Sequence, residues 1–426
     1  MFNTTNTDYL DFSLNGRHLQ ILPWGHGLRV HDSFFDQAND WALSEKVKAD
    51  ENFSVTYSEE KAEIINGKTC ATVDNTGKIT FYNLKGKKIL EEYQRQRIFK
   101  NVPISDNRFI KVKINEYSSA LKLNGREFIP NHEGDYTVHV RFEANDNERI
   151  YGMGQYQQKQ LNLKGCKLEL AQRNSQASVP FYLSSLGYGF LWNNPGIGEV
   201  FFANNLTEWT SVDTTNVDYW ICAEDSPKEI IKAYTEVTGR TPKMPKFALG
   251  LWQSKLRYRT QDEVLRVARK YLQLGIPLSV IVIDYFHWTN QGNYQFDPKY
   301  FPHPDQMVKE LNEMGIKLMV SVWPNIDRKS KNYQEMLAKG YLVRSDRGNG
   351  ITMTFQGNTT FFDATNPDAR KFFWQQLKQN YYQKGIHLFW LDEAEPEYSQ
   401  YDFDNYRLYL GRNTQVGNIY PRCYAK

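Results

Sequence analysis

Four acidic side chains stand close together near the carboxyl end of the chain. They are Asp392, Glu393, Glu395 and Glu397. They follow the apolar run 386–391, which is typical of a buried strand, and Pro396 opposes any regular continuation of that strand. Carboxyl groups at a strand end can act as nucleophile and proton donor in one reaction. An isolated acidic run can equally be a solvated loop, so the surrounding pattern has to distinguish the two.

Three earlier strand patterns end at or just before residues that could share a site with these carboxyl groups. The patterns lie at 247–252, 279–283 and 316–322. The first ends in Trp252, the second precedes Asp284, and the third precedes Trp323. Paired carboxyls with aromatic neighbours, and without a His or Cys cluster, disfavour a metal site and a Ser or Cys triad. They favour glycoside hydrolysis, although Asp284 alone could instead cap the next helix.

The elements around these residues alternate between strand and helix patterns. Gly275, Gly315 and Gly385 each end a helix pattern, and each is followed by an isoleucine that leads into a strand. Such a βα repeat gives right-handed crossovers and a parallel sheet. The carboxyl ends of its strands then lie at one end of a barrel, where α/β barrels hold their chemistry. We expect a small β insertion near 341–363 at the same end.

The chain before this repeat has a different pattern. Residues 1–238 contain many short strand patterns separated by turns, which predict a β-sandwich. Residues 239–246 have the composition of a linker, and 247–426 form the barrel part. The polar stretch 151–160 is either a loop that reaches a ligand or a plain surface turn.

Composition narrows the function classes. The net charge of +3 and the 24% of charged residues give no electrostatic case for binding nucleic acid or a membrane. An aromatic fraction of 15% fits sugar binding and fits a large β-rich core equally well. The four cysteines lack metal-type spacing, and no secretory signal pattern is seen, so we expect reduced thiols and a cytoplasmic location. We expect no cofactor and no metal, and the sequence is compatible with a homo-oligomer.

The acidic motif resembles a known family signature. Residues 390–395, Trp-Leu-Asp-Glu-Ala-Glu, resemble the nucleophile motif of glycoside hydrolase family 31, with Glu393 where the family has Met. The longer stretch 390–397 is similar to the bacterial α-xylosidase branch. Further resemblance lies at 282–288, 296–302, 321–324 and 363–367. It covers nearly the whole chain and implies an N-terminal β-sandwich followed by a (β/α)8 TIM barrel.

The resemblance also implies roles for individual residues. Asp392 would be the nucleophile that forms a covalent glycosyl-enzyme intermediate with retention of configuration. Asp284 would hydrogen-bond the sugar hydroxyls in subsite −1. Glu395 would be the supporting glutamate of the nucleophile motif. Aromatic residues would line that subsite: Trp252, Tyr285 and Trp323. Glu393 and Glu397 are interpreted as structural or rim residues, and the loop at 151–160 as one that leans over the site.

The resemblance also predicts that the barrel is incomplete. Residues 247–426 contain four strand patterns and are fewer than the roughly 250 residues of a complete barrel. The family's acid/base aspartate would lie beyond Lys426, so we expect a partial sequence of a longer enzyme or a natural short, inactive product. The predicted activity is exo-acting hydrolysis of terminal α-xylosyl residues of oligosaccharides. The alternatives are an α-glucosidase and an inactive carbohydrate-binding fragment.

Overall fold

The computed structural model describes residues 1–35, 41–44, 47–96, 122–132, 134–174, 176–346, 357–395 and 403–426. Glu397 and most of the predicted insertion's centre therefore lie outside the described residues. The chain folds into two compact units. The first comprises Met1–Ala171 and Ser175–Arg240, and the second comprises Gln172–Asn174 and Thr241–Lys426.

The first unit is built of antiparallel strands and one helix, α1 (Pro227–Thr238). Its strands are β1 (Leu10–Leu14), β2 (Arg17–Trp24), β3 (Gly27–Ser33), β4 (Phe53–Tyr57), β5 (Lys61–Asn66), β6 (Thr69–Asp74), β7 (Ile79–Asn83), β8 (Lys88–Glu91), β9 (Arg95–Gln96), β10 (Lys122–Leu123), β11 (Arg126–Pro130), β12 (Tyr136–Glu143), β13 (Ile150–Gln155), β14 (Lys167–Leu170), β15 (Ala177–Ser184), β16 (Tyr188–Trp192), β17 (Gly198–Phe202), β18 (Leu206–Thr214) and β19 (Asn216–Ala223). They form sheets of order β1-β2-β3-β19-β16-β15-β13, β11-β12-β18-β17-β14 and β4-β5-β6-β7-β8, with β9 paired to β10.

Two of these sheets pack face to face through aromatic rings. The ring of Phe190 on β16 lies 5.2 Å from that of Trp209 on β18, centroid to centroid. Tyr219 on β19 lies 5.8 Å from Phe142 on β12. All four side chains are fully buried, because alternate residues of each strand face the partner sheet. The predicted β-sandwich is confirmed.

The interpretation of 151–160 as a loop is wrong for its first half. Ile150–Gln155 forms β13, the edge strand of the seven-stranded sheet, with a register shift between Gly152 and Gly154. Glycine is needed at 154, since a Cβ there would lie 2.1 Å from the carbonyl oxygen of Ala177. The two glycines that suggested a loop therefore form a bulge in a strand.

The second unit contains the predicted parallel sheet. Its strands are β20 (Trp252–Lys255), β21 (Val280–Ile283), β22 (Lys317–Val322), β23 (Asn325–Asp327), β24 (Arg344–Ser345), β25 (Thr359–Phe361), β26 (Leu388–Leu391), β27 (Tyr406–Leu408) and β28 (Gly411–Arg412). Its helices are α2 (Gln261–Gln273), α3 (Pro304–Glu313), α4 (Tyr333–Ala338), α5 (Pro367–Asn380), α6 (Asn413–Val416) and α7 (Tyr420–Ala425). Single 3-10 turns lie at Lys246–Leu249, Tyr382–Lys384, Phe403–Asn405 and Gly417–Ile419. Strands β20, β21, β22 and β26 are parallel neighbours in that order.

Side-chain caps fix where the barrel helices begin. The hydroxyl of Thr260 accepts a hydrogen bond from the backbone N–H of Glu263 at 3.2 Å at the start of α2. The side chain of Asn366 accepts from the N–H groups of Asp368 and Ala369 at the start of α5. These bonds satisfy backbone donors that the first helical turn leaves unpaired. The caps predicted at both positions are confirmed, although α5 ends at Asn380 and not at Lys384.

The first barrel strand does not lie where the apolar pattern predicted it. Lys246–Leu249 forms a 3-10 turn, closed by a bond from the N–H of Ala248 to the carbonyl of Pro245. The strand β20 begins only at Trp252, and Leu249 before it is 77% exposed. The prediction of a buried strand over 247–252 is therefore wrong. Pro245 starts a turn, and the apolar residues that follow are part of this turn.

The last barrel strand is also less buried than predicted. Among the described strands β26 pairs with β22 alone, so one of its edges has no partner. Its residues are half-buried or exposed, and Trp390 is 39% exposed. The apolar pattern identified the strand correctly but not its position at an edge.

The predicted insertion at 341–363 forms strands with unexpected partners. Its first strand, β24, pairs with β27, and its second, β25, pairs with β23. Both pairings are antiparallel. The two strands belong to separate small sheets, although the residues beside them pair with each other through an antiparallel bridge between Leu342 and Phe362.

Candidate active site

The register of the parallel sheet places the two candidate aspartates on one face. Ile283 pairs with Val320 on β22, and Val322 pairs with Leu391 on β26. Asp284 and Asp392 are the next residues on their strands, at the carboxyl ends. Because side chains alternate, both point to the face that also carries Ser321 and Trp390, opposite to Phe389 and Leu391. Phe389 and Leu391 line a groove with residues of α5, so the aspartates lie on the sheet face turned away from that helix.

Asp284 is a buried carboxyl group with one backbone donor. Its side chain belongs to a residue that is 7% exposed, and one carboxylate oxygen accepts a 2.7 Å hydrogen bond from the N–H of Tyr285. Burial raises the pKa of Asp284, the bond from Tyr285 opposes that rise, and the nearby charge of Asp392 adds to it. The last contribution shows that the two carboxyl groups lie within electrostatic reach of each other. Asp284 does not cap the next helix α3, whose cap position is His303.

Aromatic rings stand beside Asp284. The rings of Tyr285 and Trp323 lie 4.6 Å apart, and those of Tyr285 and Phe286 lie 4.4 Å apart in an edge-on arrangement. Trp288 lies 6.2 Å from Trp323. Trp323 is 4% exposed, whereas Tyr285 and Phe286 are half-buried. The aromatic wall, as we call Tyr285, Phe286 and Trp323, can pack against the apolar face of a sugar ring.

Asp392 continues the barrel sheet beyond its last strand residue. Its backbone N–H donates to the carbonyl of Val322 at 3.1 Å, which fixes the start of the acidic segment against β22. Asp392 and Glu395 are half-buried, while Glu393 is 8% exposed and has a positive φ of 56°. Glu393 therefore lies inside the fold, and its interpretation as a structural residue stays a prediction.

Trp252 is not brought to this end of the sheet. It is the first residue of β20 and pairs with Val280, the first residue of β21. The carboxyl ends of these strands are Lys255 and Ile283, three residues further on. Trp252 is 38% exposed, and its indole N–H donates to the carbonyl of Ala248 at 3.1 Å. The structure therefore places Trp252 at the amino end of β20, because the strand begins at the residue where it was expected to end, and its role in lining the site stays a prediction.

Sequence reasoning missed three residues that surround the Asp284 loop. His287 is 2% exposed, and its two ring nitrogens lie 3.0 Å from the carbonyl of Asp284 and 2.8 Å from the hydroxyl of Tyr381. Arg257, which follows β20, donates to the carbonyl of Phe286 at 2.7 Å. His287 lies in a segment that resembles the family, but Tyr381 is 94 residues away and gives no local signal.

The described residues contain no group of three or more His, Cys, Asp or Glu side chains that could hold a metal ion. Among the helices in the same ranges, none is both long enough and apolar enough to cross a membrane.

Comparison with known proteins defines the class. Residues 241–426 match the family 31 glycosyl hydrolase TIM-barrel domain, and residues 19–200 match the glycosyl hydrolase 31 N-terminal galactose mutarotase-like domain. An uncharacterized family 31 glucosidase of Pseudescherichia vulneris is 52% identical over 413 residues, which are 96% of this chain and 76% of that protein. The chain belongs to glycoside hydrolase family 31.

Two α-xylosidases are similar to the chain. The crystal structure of a family 31 α-xylosidase from a soil metagenome, complexed with xylose, has a TM-score of 0.92 and 52% identity. The match covers 100% of this chain and 62% of that one. Alpha-xylosidase A of Aspergillus niger is 35% identical over 347 residues, 76% of this chain and 47% of that enzyme. The chain thus spans between about half and three quarters of these relatives, and it contains the β-sandwich and part of the barrel, as predicted.

Proposed function

We propose that this chain carries the nucleophile half of a retaining, exo-acting α-glycosidase that removes terminal α-xylosyl residues from oligosaccharides. The observation that carries the proposal is that Asp284 and Asp392 lie on the same sheet face, at the carboxyl ends of parallel strands and beside the aromatic wall. A carboxylate pair beside a hydrophobic surface fits the attack and charge stabilisation that glycoside hydrolysis requires.

Asp392 is proposed as the nucleophile. It is half-buried, so its carboxylate can reach a substrate, and its backbone is held to β22 by the bond to Val322. Attack on the anomeric carbon forms an ester between that carbon and the Asp392 carboxylate and expels the aglycone oxygen. Water then attacks the same carbon and releases the sugar with retained configuration.

Asp284 is proposed to bind sugar hydroxyl groups in subsite −1. A buried carboxylate with one oxygen held by the N–H of Tyr285 has the other oxygen left to accept from a ligand. Such charge-assisted bonds strengthen as positive charge develops on the sugar ring. Glu395 is half-buried three residues after Asp392, and we propose that it supports this segment.

The acid/base is proposed to come from the part of the family fold that this chain does not cover. The soil-metagenome α-xylosidase is longer, and the match covers 62% of it. In a retaining mechanism the acid protonates the aglycone oxygen and later deprotonates the attacking water. Neither role is assigned to Asp284, whose burial and bond to the N–H of Tyr285 suit binding of the sugar itself.

Xylose is the proposed sugar, and glucose is the alternative. Xylose lacks the hydroxymethyl group that glucose carries at C5, and the bulky aromatic wall supports a site that excludes this group. Two relatives that are α-xylosidases support the same choice. The relative from P. vulneris is described as a glucosidase, which keeps α-glucosidase as the second candidate. A wall of this kind discriminates by about 10- to 200-fold for one small apolar difference.

The test compares hydrolysis of p-nitrophenyl α-xyloside and p-nitrophenyl α-glucoside by the 426-residue chain and by any longer form that its gene encodes. We expect the higher kcat/KM with the xyloside and turnover only in a form that includes an acid/base. A higher kcat/KM with the glucoside would overturn the substrate proposal. Xylose binding without turnover in every form would favour the inactive carbohydrate-binding alternative.

We propose that the domains are the sandwich at 1–238, a linker at 239–246 and the barrel part at 247–426. We also propose a cytoplasmic location, because the four cysteines are unpaired thiols and two of them, Cys70 and Cys222, are buried. Their pKa values are raised above the ordinary value by burial, which keeps these two thiols protonated and unreactive.

A further inference from the structure

His287 makes two directed hydrogen bonds inside the fold, directly behind the proposed sugar-binding aspartate. One ring nitrogen, Nδ1, lies 3.0 Å from the carbonyl oxygen of Asp284, three residues earlier in the chain. The other, Nε2, lies 2.8 Å from the hydroxyl oxygen of Tyr381. All three residues are buried, which limits the competition of water for these bonds.

These partners determine where the ring hydrogen lies. A carbonyl oxygen can only accept, so Nδ1 must carry the hydrogen and donate it to Asp284. In a neutral ring Nε2 then has a lone pair and accepts from the Tyr381 hydroxyl, which can donate. Burial lowers the pKa of His287 to about 4, and the positive charge of Arg257 lowers it as well, so the ring is neutral near pH 7. Burial also raises the pKa of Tyr381 well above its ordinary value, which keeps its hydroxyl hydrogen in place.

Tyr381 is a rigid anchor for this chain of bonds. It directly follows α5, and its backbone N–H donates to the carbonyl of Leu377 in that helix at 2.9 Å. Its ring is fully buried and lies 5.2 Å from Phe296 and 6.4 Å from Phe389 on β26. Tyr381 therefore connects the loop after β21 to the helix that precedes β26.

A second contact holds the same loop from the other side. Phe286 has a positive φ of 61°, a conformation that side-chain-bearing residues rarely adopt without support. Arg257 donates to its carbonyl oxygen at 2.7 Å, and the guanidinium carbon lies 5.4 Å from the centroid of the Phe286 ring. The loop from Asp284 to His287 is thus fixed by bonds to the carbonyls of its first and third residues.

We propose that His287 is a positioning residue: as a neutral ring with its hydrogen on Nδ1, it ties the Asp284 backbone to Tyr381 and so orients the Asp284 carboxyl group and the Tyr285 ring toward the sugar. This inference rests on the proposed function for the role of Asp284. His287 does not touch the substrate. Its effect passes through the main chain, because the carbonyl it holds and the N–H that holds the Asp284 carboxylate belong to one peptide group between Asp284 and Tyr285.

Two amide substitutions separate the two bonds of His287. In His287→Asn the side-chain amide occupies the place of Nδ1 and can still donate to Asp284, but it does not reach Tyr381. In His287→Gln the longer amide occupies the place of Nε2 and reaches Tyr381, but the donor to Asp284 is lost. A third variant, Tyr381→Phe, removes only the hydroxyl group. Tyr294→Phe is its control, because the buried Tyr294 hydroxyl has no hydrogen-bond partner among the described residues.

The expected result is an unequal loss of activity in the two amide variants. We expect kcat/KM for p-nitrophenyl α-xyloside, in a form of the enzyme that turns it over, to fall about 100-fold in His287→Gln and less than about 10-fold in His287→Asn. Tyr381→Phe is expected between them and Tyr294→Phe at the wild-type value. Urea unfolding of each variant gives the loss of stability. Losses of activity that are equal in the two amide variants, or that follow their losses of stability, would overturn the positioning role.

The tautomer is measured independently of activity. In protein labelled with ¹⁵N in its eight histidine rings, NMR at pH 7 should show a neutral Nδ1–H ring whose signals disappear in His287→Asn. A charged ring, or a hydrogen on Nε2, would overturn the proposal. If no form of the protein hydrolyses either aryl glycoside, the proposed function fails, and this measurement still decides the state of His287.

Discussion

Asp284 and Asp392 have different surroundings although each follows a parallel strand. Asp284 is buried, and desolvation raises its pKa, whereas Asp392 lies half-buried at the end of an edge strand. A nucleophile must meet the substrate, while a binding carboxylate gains strength when water is excluded. The exposures of the two residues therefore agree with the separate roles proposed for them.

Replacement of Asp392 by alanine should abolish turnover and leave folding intact. The side chain is half-buried at a strand end, so few packing contacts are lost, but no ester to the sugar can form. We expect azide to restore partial turnover of an aryl α-xyloside and to give the β-xylosyl azide, since the anion enters where the carboxylate was. Glu313→Ala, an exposed acid at the end of α3, is the matched control and should leave kcat unchanged. Wild-type turnover in Asp392→Ala would remove Asp392 from the nucleophile role.

His287 should make the stability of the fold depend on pH. Its pKa is about 4 in the folded state against 6.5 for an ordinary histidine, so between these values the unfolded chain binds more protons. The stabilisation is fully present above pH 6.5 and is lost as the pH falls toward 4, by about 3 kcal/mol in all. Urea unfolding at pH 5 and pH 7 measures about 2 kcal/mol of this loss, because pH 5 lies about 1.5 units below the unfolded-state pKa. His287→Asn should show a smaller difference between the two pH values, and an unchanged difference would contradict the expectation.

The sequence predicted the site residues that directly follow strands. It missed the supporting residues that lie far from them along the chain. Asp284, Trp323 and Asp392 each stand directly after an apolar run, and the structure has each of them there. Trp252 was misplaced because an apolar run does not show which of its residues start the hydrogen-bonded ladder. Tyr381 could not be found, since its contact with His287 joins positions 94 residues apart and depends on the packing of α5.

At the scale of elements, the repeated glycine-isoleucine junctions gave the correct order of the barrel strands. Gly275, Gly315 and Gly385 all have positive φ values, which end each helix and turn the chain toward the next strand. The strand that has no such junction before it, β20, was the one placed wrongly. The partners of β24 and β25 could not be predicted either, because antiparallel pairing across long loops leaves no periodic signal.

Gly292 is expected to be required for the conformation of the loop that follows Tyr285 and Phe286. A Cβ at this position would lie 2.9 Å from the Cα of Ile326 on β23, and the residue has a φ of 87°. Gly292→Ala should therefore destabilise the protein by about 3 kcal/mol, from steric overlap and from the left-handed backbone. Gly275→Ala is the matched control: its φ is 66°, but no atom lies within 4 Å of the added methyl group. Its cost should be only about 1 kcal/mol. Equal shifts in urea unfolding would show that Ile326 moves aside.

At the scale of the whole molecule, the barrel sheet has two edges without a partner among the described strands, one at β20 and one at β26. A groove of about 600 Å³ runs beside β26, lined by Phe389, Leu391 and residues of α5 such as Trp374, which is 43% exposed. Unpaired strand edges and exposed apolar grooves favour association between copies of a protein. The 426-residue chain should consequently associate with itself as its concentration rises.

Trp374→Lys should weaken this association with little loss of stability, because the substitution places a charge in the groove, and the exposed indole packs only against Tyr382 and Phe389 among the described rings. Sedimentation velocity across a concentration series measures the effect. Leu272→Lys is the matched control, since Leu272 is an exposed residue on α2, 59% accessible, away from the groove. A monomer at all concentrations for the unmodified chain would contradict the expectation.

The pairing of Val322 with Leu391 also limits how this protein can change in length. Side chains alternate between faces, so deletion or insertion of one residue within β26 would turn the Asp392 carboxyl group toward α5. The same change in the turn at Tyr382–Lys384, before Gly385, lies outside the ladder and leaves the register of β26 unchanged. A change of one residue should therefore reduce activity far more within β26 than in that turn, and lengthening the barrel wall requires insertions that keep the register of β26.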